Sequence, residues 1–132
     1  MEIIQKKKIE FYQDGRGWTI KPISEEEMAS GRITNIHIAS MKPGAVRGNH
    51  YHLYTAENII IVGSICRITV RDNTTKQKEE VIIENSGETL LVFSPFVTHA
   101  IENIGTEVSY LFCYSSMNKN LGSYNTVKDK IV

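Results

Sequence analysis

Several things are scarce in this sequence, and each shortage excludes something. Only two of its 132 residues are cysteines. Cys66 and Cys113 lie far apart within apolar runs and form no C-x-x-C motif, so they read as buried free thiols in a reducing compartment. Neither sign of charge is in excess: Lys and Arg total 15, Asp and Glu total 15. No basic surface therefore advertises a nucleic-acid partner. The one basic run, Lys6-Lys7-Lys8, is short and reads as a solvated strand edge that discourages edge-to-edge pairing. There is no N-terminal apolar segment of signal-peptide type, and no apolar run approaches the ~20 residues that span a bilayer. The expectation is a cytoplasmic protein with no membrane partner. Internal repeats and low-complexity segments are also absent. Hydrophobic residues make up 41% and charged residues 23%, ordinary for a globular protein. The length suits a single domain, 1–132, able to bury one core without disulfides.

Strand signals fill most of what is there. Ile33 to Met41 is β-rich, with Ile36, Ile38 and Ser40 on one face. Glu57 to Val62 ends in an apolar run that Gly63 breaks, and Ile65 to Val70 resumes it. Asp72-Asn73-Thr74-Thr75 is turn chemistry. Val81 to Ile83, Thr89 to Phe93, Thr98 to Asn103 and Val108 to Tyr114 continue the pattern, punctuated at Asn85-Ser86-Gly87 and Asn103-Ile104-Gly105. One helical turn is expected at 24–30: Ser24 caps it, Glu27 completes a capping box, and Gly31 ends it. Many short strands with regular turns predict an all-β sandwich or barrel.

The triplet His50-Tyr51-His52 carries the chemistry. Residues two apart on a strand share a face, so both imidazoles project together and Tyr51 points away. Glu57 follows after a turn, and His99 sits in a later strand beyond Pro95. Three imidazoles and one carboxylate suit a borderline divalent ion such as Zn²⁺, Mn²⁺, Fe²⁺ or Ni²⁺. The segment Gly44-x5-His50-x-His52-x4-Glu57-x5-Gly63 resembles the first motif of the cupins, jelly-roll β-barrels. Gly87-x7-Pro95-x3-His99-x3-Asn103 resembles the second, with the proline one residue nearer the histidine than usual. Together the motifs cover residues 44–63 and 87–103. The resemblance implies a metal held by His50, His52, Glu57 and His99.

The string Arg47-Gly48-Asn49-His50-Tyr51-His52 narrows the resemblance to nucleotide-sugar 3,5-epimerases and 3,4-ketoisomerases, as does Asp14-Gly15-Arg16-Gly17. Residues 42–52 and 98–105 are most similar to the metal-binding C-terminal cupin of bifunctional capsular-polysaccharide enzymes, although this chain has no room for their reductase domain. The resemblance implies an epimerase or ketoisomerase of a nucleotide-linked keto-deoxysugar in surface-polysaccharide synthesis, with a sugar nucleotide as small-molecule partner and a homodimer as assembly. His50 would be the base and Arg47 would bind the diphosphate. An imidazole nitrogen bound to metal cannot also take a proton, so His50 is ligand or base. If it is a ligand, His37 and Tyr110 are the candidate bases. Lys42 and Asn58 are further substrate-binding candidates. Asn103 more naturally orders a turn, Trp18 fits the core, and Tyr124 would cover a pocket or a dimer seam. Two other readings remain open: a metal-dependent dioxygenase, and a non-catalytic sugar-binding or regulatory cupin.

Overall fold

The computed structural model describes residues 3–84, 86–116 and 125–132; Tyr124 lies outside them. In chain order the strands are β1 (Gln5–Lys8), β2 (Glu10–Asp14), β3 (Gly17–Lys21), β4 (Asn35–Met41), β5 (Val46–His52), β6 (Glu57–Val62), β7 (Cys66–Asp72), β8 (Lys78–Ile83), β9 (Ser86–Phe93), β10 (Val97–Asn103), β11 (Ser109–Ser115) and β12 (Thr126–Lys128). The helix α1 (Glu25–Ala29) falls inside the segment the capping pattern marks: Ser24 Oγ accepts from the Glu27 amide at 3.1 Å. Among the described residues no helix is long and apolar enough to cross a membrane.

Two five-stranded antiparallel sheets face each other, in the orders β1-β9-β6-β11-β4 and β12-β5-β10-β7-β8, and β2 and β3 form a separate hairpin. Period-two alternation decides what lies between the sheets. From β6, Ile59 and Ile61 point into the gap; from β7, Ile68 and Val70; from β11, Leu111 and Cys113. Ile60, Leu90, Val92 and Tyr114 face the other way and form a second cluster with Ile23. This is the all-β sandwich expected from the strand pattern, with one short helix. Both cysteines are buried and free.

Two readings need correction or refinement. Trp18 is not a core residue: it sits on the β2–β3 hairpin and is half exposed. The common face of Ile36, Ile38 and Ser40 is the outer one, and His37, Ala39 and Met41 face inward. The Lys6–Lys8 run does lie on an edge strand, β1, which pairs only with β9.

Asn103 is a structural post. Its fully buried amide donates to the Met41 and Glu107 carbonyls at 2.9 and 2.8 Å. Its Oδ1 accepts from Ser64 Oγ at 2.9 Å and from the Gly105 amide at 3.0 Å. Every polar atom of the side chain is used within the protein, so none is left for a substrate.

Candidate metal and acid–base site

A β-bulge builds the site. In the β5–β10 ladder His50 pairs with His99 and Gly48 pairs with Ala100, so Asn49 is an extra residue on β5. Gly48 and Asn49 have positive φ, +93° and 54°. A Cβ on Gly48 would stand 2.6 Å from the His99 carbonyl oxygen, so only glycine lets the strands approach this closely. The bulge resets the alternation, and Arg47 and His50, three residues apart, both reach the same cavity. His52 shares the face of His50, His99 arrives on β10, and Glu57 comes from the first residue of β6 in the opposite sheet.

The four side chains converge, with their ligating atoms all within 4.8 Å of one another. Three imidazole Nε2 atoms approach one oxygen, Glu57 Oε2: His52 at 2.6 Å, His99 at 3.1 Å and His50 at 3.7 Å. The far sides of two rings are held. His99 Nδ1 lies 3.2 Å from the Val97 carbonyl, which can only accept, so Nδ1 carries a proton. Phe93 stacks on the same ring, centroids 4.4 Å apart and nearly parallel. His52 Nδ1 lies 3.1 Å from Thr126 Oγ1. With Nδ1 committed to the Val97 carbonyl, His99 Nε2 meets the Glu57 oxygen either through a proton of its own or across a bound cation. His50 Nε2 is buried with no hydrogen-bond partner at all. Burial works against the charged form of Glu57, yet the three histidines outweigh it and hold the carboxyl well below the usual carboxylate range. Three convergent imidazole nitrogens and one anionic oxygen are a donor set that fits a divalent cation, and His50 Nε2, without a hydrogen-bond partner among the described residues, is free to join it.

The adjoining cavity, about 170 Å³, is lined by His37, Arg47, His50, Glu57, His99 and Cys113 together with aliphatic walls. A His37 ring nitrogen, a Glu57 oxygen and Cys113 Sγ lie within 4.8 Å of one another. Burial, with the nearby Glu57 charge, pushes the Cys113 thiol up to about 12, so it is wall rather than nucleophile. Arg47 stands exposed at the mouth, and its Nε donates to the Ser40 carbonyl at 3.0 Å.

Not every candidate reaches the cavity. Tyr110 is ruled out by alternation: Leu111 and Cys113 take the inner face of β11, so Tyr110 faces outward, half exposed. Asn58 is likewise outward, next to inward Glu57, and its amide donates to the Tyr114 carbonyl at 3.2 Å. Lys42 is exposed in the turn after β4 and does not line the cavity. Phe93, Cys113 and Thr126 are site neighbours that carry no local sequence signal.

The family model for the polysaccharide biosynthesis C-terminal domain matches residues 12–121. The chain belongs to this family. No curated protein matches it. Several solved structures share this family member's fold. NovW, a 4-keto-6-deoxy sugar epimerase from Streptomyces spheroides, is 18% identical with a TM-score of 0.73, over 96% of this chain and 69% of NovW. A mutant of the 3,4-ketoisomerase QdtA from Thermoanaerobacterium thermosaccharolyticum, in complex with TDP-4-keto-6-deoxyglucose, is 12% identical with a TM-score of 0.76, over 98% of this chain and 89% of QdtA. CapF is 20% identical with a TM-score of 0.65, over 73% of this chain and only 28% of CapF. In this polysaccharide-biosynthesis domain the two segments that resemble cupin motifs fall on β5–β6 and on β9–β10, the strands that carry the four convergent side chains.

Proposed function

We propose that this protein is an isomerase of a nucleotide-linked 4-keto-6-deoxysugar, serving surface-polysaccharide synthesis. In this reading His50, His52, Glu57 and His99 hold a divalent cation and His37 is the base. The observation that carries it is the placement of His37 and Arg47 on the same cavity as the convergent set. NovW and QdtA, which share the fold, are named for reactions on such sugars.

The chemistry follows from the cavity. The C–H bonds beside a ketone are acidified, and removing such a proton leaves an enolate. A divalent cation bound by the four residues supplies Lewis-acid stabilisation of negative charge on an oxygen. The chain has four histidines, and three belong to the convergent set. His37 is the remaining imidazole, open to the cavity and outside that set, which supports reading His50 as a ligand and His37 as the base. Imidazole is the commonest general acid–base group in enzymes. The Arg47 guanidinium at the mouth matches a diphosphate in shape and charge.

With Tyr110 outside the cavity, His37 stands alone there as an acid–base group outside the convergent set, apart from the inert Cys113, among the described residues. A group serving one face suits moving the ketone to the neighbouring carbon. Inversion would need a second donor on the opposite face. Of the two isomerase chemistries, a 3,4-ketoisomerase therefore fits better than an epimerase. Incubation with TDP-, UDP- and GDP-linked 4-keto-6-deoxy sugars in D₂O tests this. Deuterium on ring carbons next to the original or the shifted ketone is the expected result. No deuterium from any of the three would remove the isomerase reading.

The proposal extends to a homodimer. β4 is a sheet edge, and its outer face shows Ile36 and Ile38 at 56% and 69% exposure, beside half-exposed Tyr110 on β11. Exposed apolar side chains on an edge strand support a pairing surface there. Light scattering at micromolar concentration should give twice the chain mass, reduced to one chain mass by Ile38→Lys. A wild-type monomer would contradict it.

A further inference from the structure

The convergent site has a component that neither cupin motif contains. β12 lies antiparallel along β5, with Thr126 opposite His52, Val127 opposite Tyr51 and Lys128 opposite His50. The strap it belongs to is fastened on both sides. At its start, fully buried Asn125 donates to Thr55 Oγ1 at 2.7 Å and accepts from the Tyr54 amide at 2.9 Å, and its carbonyl accepts from the Leu53 amide at 2.8 Å. At its end, Asn49 Oδ1 accepts from the Ile131 and Val132 amides at 2.9 and 3.0 Å, and Asn49 Nδ2 donates to the Val132 carbonyl at 3.1 Å. Between these, Asp129 pairs with Arg71 and accepts from buried Thr98 Oγ1 at 2.6 Å. Its amide donates to the Asn49 carbonyl at 2.8 Å. Asn49 is the bulge residue that sets the register of His50 and His99. One residue thus aims the ligands and clasps the strap.

We propose that Thr126 is a positioning residue for the site, accepting a hydrogen bond from His52 Nδ1 so that His52 Nε2 faces Glu57. The contact is 3.1 Å on the Nδ1 side, and the Nε2 side lies 2.6 Å from Glu57 Oε2. A neutral imidazole has one proton. Fixing it on Nδ1 leaves the Nε2 lone pair for a cation. The Val97 carbonyl makes the corresponding contact to His99 Nδ1; the Thr126 hydroxyl, which can also donate, takes the acceptor role when a cation occupies His52 Nε2. Thr126 is exposed, so its hydroxyl competes with water. The strap overcomes that competition by holding the hydroxyl in place from both sides. This inference rests on the proposed cation reading.

The test uses the full chain with Thr126→Val, which keeps shape and β-branching but loses the acceptor, and Thr126→Ser, which keeps it. Zn²⁺ affinity by chelator competition is measured beside the His52 ring ¹H–¹⁵N spectrum of the Zn²⁺-loaded protein. Second-layer partners of metal-bound histidines are typically worth about 10–100-fold in affinity, and a weakening of at least tenfold is expected for the valine variant. Serine should stay within about threefold of wild type, on the same scale. The His52 Nδ1–H signal should be slow to exchange with water in wild type and in the serine variant, and broadened by fast exchange with valine. Unchanged affinity together with an unchanged ring spectrum in the valine variant would overturn the proposal. If the wild type binds no Zn²⁺, the cation reading itself fails; if it binds Zn²⁺ and the valine variant matches it in both readouts, only the role of Thr126 fails.

Discussion

Glu57→Gln is expected to weaken divalent-metal binding by two to three orders of magnitude while leaving the sandwich folded. The change keeps the size of the side chain but removes the single negative charge on which three Nε2 atoms converge at 2.6–3.7 Å. Deleting one member of a buried, hydrogen-bonded charge set typically costs about 3–5 kcal/mol, or on the order of 10²–10³ in an equilibrium constant. The fold should persist because Glu57 opens β6 beside Asn58 and carries none of the aliphatic packing that Ile59 and Ile61 supply. Isothermal titration with Zn²⁺ and Mn²⁺, beside a urea melt, measures both quantities. An affinity within threefold of wild type would mean that Glu57 is not a ligand.

His37→Asn should lower turnover by about 10²–10⁴-fold, the usual contribution of a positioned acid–base side chain. Metal content and sugar-nucleotide affinity should be almost unchanged, because the side chain is exposed at the cavity and belongs to neither the core nor the convergent set. Asparagine keeps a polar group there but cannot carry a proton between carbons. The informative comparison is kcat against metal stoichiometry and Kd for the nucleotide sugar. A fall of less than tenfold would place the base elsewhere. A parallel loss of metal would mean that His37 belongs to the metal set.

How far the site could be read in advance depended on how far each residue obeys simple strand periodicity. His50 and His52 are two apart, and the structure places both on the inner face. Glu57 and His99 came from motif spacing, and the fold brings both to the same point. Arg47 defies the rule. Strict alternation puts it opposite His50, and only the Gly48–Asn49 bulge brings it round. Tyr110 fails for the opposite reason: β11 is regular, so Cys113 and Leu111 take the cavity and Tyr110 is turned outward. On β4 the usual sense is inverted, with isoleucines outside and His37 inside, because the outer face is an exposed apolar strip. Thr126 lies 74 residues from His52 in sequence, and no local pattern could have joined them. Of β1 only the Lys6–Lys8 edge is legible, and β2, β3 and β12, short and mostly polar, carry no strand signal of their own.

The account turns on one point, whether a metal occupies the convergent set and touches His50. Elemental analysis of the purified protein, followed by a high-resolution structure of the metal-loaded form, tests it most directly. The account predicts about one equivalent of a divalent ion bound by the Nε2 atoms of His50, His52 and His99 and by the Glu57 carboxylate, a set drawn from the donor chemistry of such ions. Protein that neither carries nor takes up Zn²⁺, Mn²⁺, Fe²⁺ or Ni²⁺, with His50 left free to accept a proton, would contradict it.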